Sequence, residues 1–274
     1  MPMKICIVTD EVSSDPETAM ELISDWGVRH IEIRSVWGKR VPDIEPFEQE
    51  RLKELVSMYN LGVAAISPGI FKCRINDEAT VMNHLNERLP RSIDLARSLG
   101  TNTVIVFGFL CDDPHNIKYF DYAVRILRKA SDYAAERGVL LALENEPSSL
   151  ADTGERTANL VKSIGIESLR VNWDPCNAYV AGEQHSRGYE HVRGLVAHVH
   201  LKDVTMDSKS GRRVYVPFGD GEVGVFSQVR HLVNDGYRGF FSIETHVSQN
   251  RVKSTLKCLR RLQNFIEELG EKLE

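Results

Sequence analysis

The stretch VLLALENEP, Val139 to Pro147, sets an apolar run suited to a buried strand directly before Glu144, and Asn145, Glu146 and Pro147 then stop the strand. A carboxylate is thereby carried at a strand's C-terminal tip. Three later stretches repeat the design: LRVNWDP ends on Asp174, VAHVHLKD carries His200, and GFFSIETH carries Glu244. Two glutamates, an aspartate and a histidine, each at the end of a different strand, form a set that can hold one divalent metal.

Outward from that stretch the chain alternates strand and helix patterns. Ile5 to Val8 is followed by Asp15-Pro16-Glu17, a cap, a first-position proline and an acidic first turn, for a helix ending near Gly27. The pattern returns as HIEIRSV then 46–59, GVAAIS then 78–99, and TNTVIVFG then 114–137. It continues as VLLALE then 153–164, LRVNWD then a weakly marked helix at 186–193, VAHVHL then 225–233, and GFFSIE then 251–269. Eight such units in 274 residues predict an α/β fold, one (β/α)8 barrel domain over residues 1–274, near the ~250 residues typical of that architecture. No glycine-rich phosphate loop follows the first strand, which weakens the open-sheet dinucleotide-binding alternative. The connection from Asp203 to Gly224 is long and glycine-punctuated, and is expected to form a small hairpin or lid.

Parallel strands covered on both faces are ordinarily apolar on both. Here one face carries Glu32 and Arg34, Asn172 and Asp174, His198 and His200, and Ser242 and Glu244. The opposite face carries Ile31, Ile33, Val171, Trp173, Val199, Phe241 and Ile243, which suits contact with helices. The polar set is therefore expected to face the barrel lumen and to make its upper part a polar pocket. Active sites of such barrels gather at that end.

With 34 basic and 39 acidic residues the net charge is −5, so no overall attraction for nucleic acid or an anionic membrane is expected. Five widely spaced cysteines without a CxxC pair suggest neither a disulfide framework nor a thiolate zinc site, and fit a reducing cytoplasm. The start, MPMKICIVTDE, lacks a signal-peptide pattern, and no run of ~18 apolar residues predicts a membrane span.

Three carboxylates crowded at the tips of neighbouring strands repel one another unless a cation holds them, which is the argument for one bound metal per chain. A mixed oxygen and nitrogen site admits manganese, magnesium, cobalt or zinc. His198, one layer lower, reads equally as a core histidine or as a partner of the site. Arg34, Lys39, Arg40, Lys72 and Arg74 follow strands two and three near the same rim. All five are candidates for binding an anionic substrate, with Arg34, Lys72 and Arg74 expected to bear on its affinity, against the plainer reading of solvated loop charges. Trp37 and Phe71 are candidates for an apolar wall. Cys176 reads as a buried filler.

Taken together, LALEN with Glu144, NWDPCN with Asp174, HVHLKD with His200, SIET with Glu244, and the loop FGDGEVG resemble the xylose-isomerase-like TIM-barrel superfamily of sugar and sugar-phosphate isomerases and epimerases. Its members include tagatose 3-epimerase, hydroxypyruvate isomerase and inosose dehydratase relatives. The resemblance covers essentially the whole chain. It implies that Glu144, Asp174, His200 and Glu244 bind one divalent metal and that Glu144 and Glu244 are catalytic, handling protons beside a carbonyl. Epimerases often carry a substrate-binding histidine three residues after the aspartate, where this chain has Asn177, and a proline after the last glutamate, where it has Thr245. Endonuclease IV, a trinuclear zinc relative, needs histidines that VAAISPG, VIVFGF and GRRVYVPFGDG lack. The implied activity is isomerisation or epimerisation of a small carbohydrate or keto-acid through an enediolate. A dehydratase is the alternative, with Lys202 and His246 as acids for the leaving hydroxyl, and a non-catalytic sugar-binding barrel is a further one. The sequence is compatible with a homo-oligomer.

Overall fold

Alternation of short apolar strands with amphipathic helices closes the chain on itself. The computed structural model describes residues 2–274, the side chains of His185 and Ser186 apart. The first half contains β1 (Lys4–Val8), α1 (Pro16–Asp25), β2 (His30–Ile33), a hairpin of β3 (Ser35–Val36) and β4 (Lys39–Arg40), then α2 (Pro46–Met58) and β5 (Gly62–Ile70). It continues with α3 (Glu78–Asn83), α4 (Leu89–Ser98), β6 (Thr103–Phe107) and α5 (Ile117–Ala135). The second half contains β7 (Leu140–Glu144), α6 (Gly154–Ile164), β8 (Leu169–Trp173), α7 (Pro175–Val180), α8 (His185–Val192) and β9 (Val196–Leu201). A second hairpin, β10 (Asp203–Met206) and β11 (Arg213–Val216), precedes α9 (Val225–Asn234), β12 (Phe240–Ile243) and α10 (Arg251–Glu268). Eight strands close a barrel in the order β1-β12-β9-β8-β7-β6-β5-β2, which is the (β/α)8 fold that the alternation predicts.

The residues that face the helices do so for the expected reason. Ile31, Ile33, Val171, Trp173, Val199, Phe241 and Ile243 are buried in one large apolar cluster between barrel and helices. Trp173 keeps its indole N–H satisfied by donating to Gln228 Oε1 on α9 at 3.1 Å. Inside the barrel, Ala65, Ile105, Phe107 and Ala142 form a separate small cluster contributed by β5, β6 and β7. The rest of the lumen is polar, with Glu32, Asn172, His198, His200 and Ser242 all buried. Strand register stacks them: Glu144 lies beside Asn172, Asn172 beside His198, and His200 beside Ser242.

Three local features depart from the sequence expectation. The helix expected over 78–99 is interrupted by a π turn at His84–Arg88. Pro90 lacks the N–H needed for an ordinary turn and its ring crowds the carbonyl four residues back, so the widened turn relieves both. Phe71, at φ 64°, donates its N–H to Nδ1 of His84 in that turn at 2.8 Å. Second, α7 begins on Asp174 itself: the Oδ1 atom accepts from the Asn177 N–H at 2.8 Å and Pro175 follows as the first helical residue. Third, the segment after β2 folds into the β3–β4 hairpin, which pairs Ser35 with Arg40 and Val36 with Lys39.

The expected hairpin in the long connection forms as β10–β11, and Asp203 at its base organises the turn that follows. Its carboxylate accepts from the N–H groups of Val204, Gly219, Gly221 and Val223 at 2.9–3.2 Å.

Candidate metal centre

The strand ends bring Glu144, Asp174, His200 and Glu244 together, all buried, with one ligand atom of each lying within 4.8 Å of the others. Each side chain is aimed by its neighbours. Glu144 accepts from the Asn172 amide at Oε2 and from the Asn177 amide at Oε1, both at 3.2 Å. Asp174 is fixed through its backbone, whose N–H and carbonyl both bond the Asn145 side chain. Glu244 is gripped by Arg34 at 2.5 Å and Lys202 at 3.0 Å, and His246 Nε2 lies 3.1 Å from its Oε1.

His200 presents one ring nitrogen downward and one upward. Its Nε2 lies 2.9 and 3.0 Å from the two oxygens of Glu32, which also receives Nε2 of His198 at 2.8 Å and the hydroxyls of Ser67 and Ser242. Glu32 is thus a buried carboxylate with four partners, and it fixes which nitrogen of His200 looks up. That upper atom, Nδ1, is buried without a hydrogen-bond partner, 3.3 Å from Glu144 Oε2 and 3.2 Å from Glu244 Oε2. Asp174 Oδ2 also lacks a hydrogen bond, although the Lys202 ammonium sits 2.7 Å away as an ion pair.

A ring nitrogen facing two carboxylate oxygens needs a proton or a cation between them. The charge balance carries the same mark. Burial disfavours a charged imidazole, yet Glu32, Glu144 and Glu244 hold His200 well above its usual value. Burial raises Asp174 to about 6, with Lys202 opposing and Glu144 and Glu244 reinforcing. Burial likewise pushes Glu244 up, but Lys202, His246 and His200 hold it well below the usual carboxylate range. One nitrogen and three carboxylates without a thiolate suit a divalent cation of the manganese, magnesium, cobalt or zinc kind, so the residues present fit the group.

The structure also brings together two further groups that the sequence did not point to, Cys6 with Glu32 and His198, and Glu11 with Glu244 and His246. The first is already satisfied by hydrogen bonds at Glu32, and burial drives the Cys6 thiol up, away from the thiolate a metal would need. The second already holds a cation, the Arg34 guanidinium, at 2.7 Å from Glu11 and 2.5 Å from Glu244.

The cavity above the cluster measures about 580 Å³ and is lined by Arg34, Arg40, Lys72, Glu144, Glu146, Asn177, Lys202, Tyr215, Glu244 and His246 among others. Lys72 is paired with Glu146 at 2.8 Å and lies over Phe107. Arg74 is not brought there. The turn after β5 points it outward, where it is 57% exposed, pairs with Asp112 and lines a separate surface depression. Lys39 also faces away, paired with Glu48. Neither Trp37 nor Phe71 is among the cavity's lining residues: Phe71 is wholly buried against Phe109, Trp37 borders a groove near Phe47, and Phe107 supplies the apolar wall. Sequence reasoning left out Glu32, Glu11, Glu146 and Tyr215 as site residues. Glu32 had a readable signal, a charge on the lumen face of an apolar strand, whereas Tyr215 comes from the hairpin and had none.

A family model described as a xylose isomerase-like TIM barrel matches residues 20–264, and the chain belongs to that family. Among solved structures it is similar to an L-ribulose 3-epimerase, at 19% identity over 98% of this chain and 96% of that one, with a TM-score of 0.80. It is also similar to a probable 3-DHS dehydratase from Bacillus anthracis, at 18% identity over 95% and 98% of the two chains, TM-score 0.76. A third is a xylose isomerase-like TIM barrel protein from Mycobacterium smegmatis in complex with magnesium, at 18% identity over 98% of each chain, TM-score 0.77. At these identities the likeness speaks for the fold. Curated relatives include an uncharacterized protein of Methanocaldococcus jannaschii, 25% identical over 160 residues, 56% of this chain and 50% of that protein. Another is a deoxyribodipyrimidine photo-lyase of Methanothermobacter thermautotrophicus, 29% identical over 99 residues, 35% of this chain and 22% of that protein. The alignments therefore span half or less of these relatives. Among the described residues no helix is long and apolar enough to cross a membrane.

Proposed function

We propose that this protein is a divalent-metal-dependent isomerase or epimerase that moves a proton beside the carbonyl of a small polyhydroxylated ketone. The observation that carries the reading is the convergence of Glu144, Asp174, His200 and Glu244 beneath a cavity of sugar size. The L-ribulose 3-epimerase name among its structural neighbours supports this reading, and the dehydratase name supports the alternative given below. When bound, the divalent cation supplies positive charge at the carbonyl oxygen and at a neighbouring hydroxyl.

The chain's own residues divide the remaining work. Glu144 ends β7 and Glu244 directly follows β12, two strands separated in the barrel by β8 and β9, and so they address a ligand from different sides. Glu144, bonded by two neutral amides, keeps more basicity than Glu244, which is held by Arg34 and Lys202. Glu144 therefore removes the proton from the carbon beside the carbonyl, leaving an enediolate, and Glu244 handles the proton on the other side. Asn177 and Lys202 contact both the carboxylates and the cavity, and orient substrate hydroxyls. Tyr215 of β11 has its ring centroid 5.1 Å from that of His246 and lines one side of the cavity.

The test is incubation of the metal-loaded protein with a panel of ketoses and keto-acids in heavy water. Deuterium is expected at the carbon beside the carbonyl, and Glu144→Gln is expected to lower its uptake at least 100-fold while retaining some metal. Equal uptake by the variant with metal bound sinks the assignment. A dehydratase is the second reading, favoured by the buried Lys202 ammonium, an acid able to protonate a leaving hydroxyl; it is read in the same experiment as a dicarbonyl product formed with loss of water. Free, mostly buried cysteines support a cytoplasmic location.

A further inference from the structure

The cations around the cavity are unequally engaged. Arg34 is held by Asp10, Glu11 and Glu244, Lys202 by Asp174 and Glu244, and Lys72 by Glu146. Arg40 differs. Its Nε donates to the Ser67 carbonyl at 3.1 Å, and among the described residues no carboxylate lies within ion-pair distance of it. A guanidinium left in contact with bulk water would need no partner, but this one lines the cavity, and burial together with the repulsion of Arg34 lowers its pKa.

The fold holds Arg40 in place by two devices. Alternation along the β3–β4 hairpin sends Lys39 outward to Glu48 and turns Arg40, paired with Ser35, toward the cavity. Beneath it, Gly69 at φ +76° has no side chain, and a Cβ there would lie 3.2 Å from Arg40 Nε and 3.4 Å from its Cζ. The guanidinium thus rests against the backbone of β5. With Nε used by Ser67, the two Nη groups remain for a ligand.

We propose that Arg40 binds a carboxylate carried by the substrate, so that the ketone processed here is a keto-polyol acid and not a neutral ketose. The proposal rests on the reading of the site as one for proton transfer on a ketone. A planar guanidinium presents two parallel N–H groups that match a carboxylate, and its single charge balances a carboxylate monoanion. A phosphate dianion would call for a second uncommitted cation, and both lysines of the cavity are taken, Lys72 by Glu146 and Lys202 by Asp174 and Glu244.

The test uses the full-length, manganese-loaded protein at fixed ionic strength and three probes titrated calorimetrically. L-Sorbose and 5-keto-D-gluconate differ only in a carboxylate replacing a terminal hydroxymethyl group, and fructose 6-phosphate supplies the phosphate arm. 5-Keto-D-gluconate is expected to bind at least tenfold more tightly than L-sorbose. Arg40→Met is expected to bring that ratio to within twofold, Arg40→Lys to keep part of it, and Arg74→Ala, altering an arginine outside the cavity, to leave it unchanged. Equal binding of the sugar and its acid, a ratio that survives Arg40→Met, tighter Arg40-dependent binding of the phosphate, or no binding of any probe overturns the proposal. Deuterium exchange without carboxylate preference defeats this subsite alone. Carboxylate preference without exchange defeats only the proton-transfer reading.

Discussion

At the scale of single residues, the side chain with most to lose is Glu32. It is fully buried, and burial alone would push its carboxyl up, but the charge of His200 and the hydrogen bonds of His198 and His200 hold it well below the usual carboxylate range. Glu32→Gln offers one acceptor oxygen and an amide that cannot accept, so Ser67 alone or His198 and Ser242 together lose their partner, according to which way the amide turns. We expect metal affinity to fall roughly 10–100-fold, because the ring of His200 is no longer fixed. Stability should fall by about 3–5 kcal/mol, as when one member of a buried ionic set is removed. Calorimetric metal titration and urea unfolding measure the two effects, and a variant with unchanged metal affinity would show that Glu32 only fills space. The four residues proposed as ligands were legible in the sequence because each stands at or beside a strand's C-terminal end, where position and chemistry coincide. Arg40 and Arg74 were not distinguishable there, since which basic side chain of a loop turns inward depends on the hairpin and turn that carry it.

Among the elements, the π turn at His84–Arg88 has the clearest consequence. His84 Nδ1 accepts the Phe71 N–H, which requires a neutral ring, and burial, then Arg88, lowers its pKa from the usual 6.5. Because the folded value lies below the unfolded one, this contribution to stability is complete above about pH 6.5 and declines as the pH falls below it, where the unfolded chain takes up the proton more readily. His84→Leu leaves the Phe71 N–H without its partner and is expected to cost about 1–3 kcal/mol at pH 7.5. The variant should then lose less stability than the parent between pH 7.5 and 5.5, as read by urea midpoints; equal losses would remove His84 from the account. Neither this turn nor α7 was legible from periodicity. Pro90 inside the expected helix was a readable breaker, but not the π turn that answers it, whereas Asp174-Pro175 is an ordinary helix start whose cap was read solely as a ligand.

For the whole molecule, eight strand and helix alternations made the barrel legible, and closure follows because only a closed sheet gives every strand two neighbours. The proposed metal should report on that closure. Its ligands come from β7 and β9 and from the residues that directly follow β8 and β12, so the cation ties four staves together in the folded state only. Free manganese at a hundred times its dissociation constant adds about 2.7 kcal/mol. Chelation should lower the midpoint of thermal unfolding by on the order of 5 °C in a chain of this length. The Asp174→Ala variant should show a much smaller shift, and an equal shift in parent and variant would place the ion elsewhere. Closure also sets a clock. The Ser242 hydroxyl that bonds Glu32 lies 210 residues further along the chain. At about 5–20 residues per second a ribosome needs roughly 10–40 s to cover that distance. For all of that time the nascent first half carries a carboxylate built for a dry interior without all the donors that make it tolerable there, so β2 has reason to stay in water until β12 arrives.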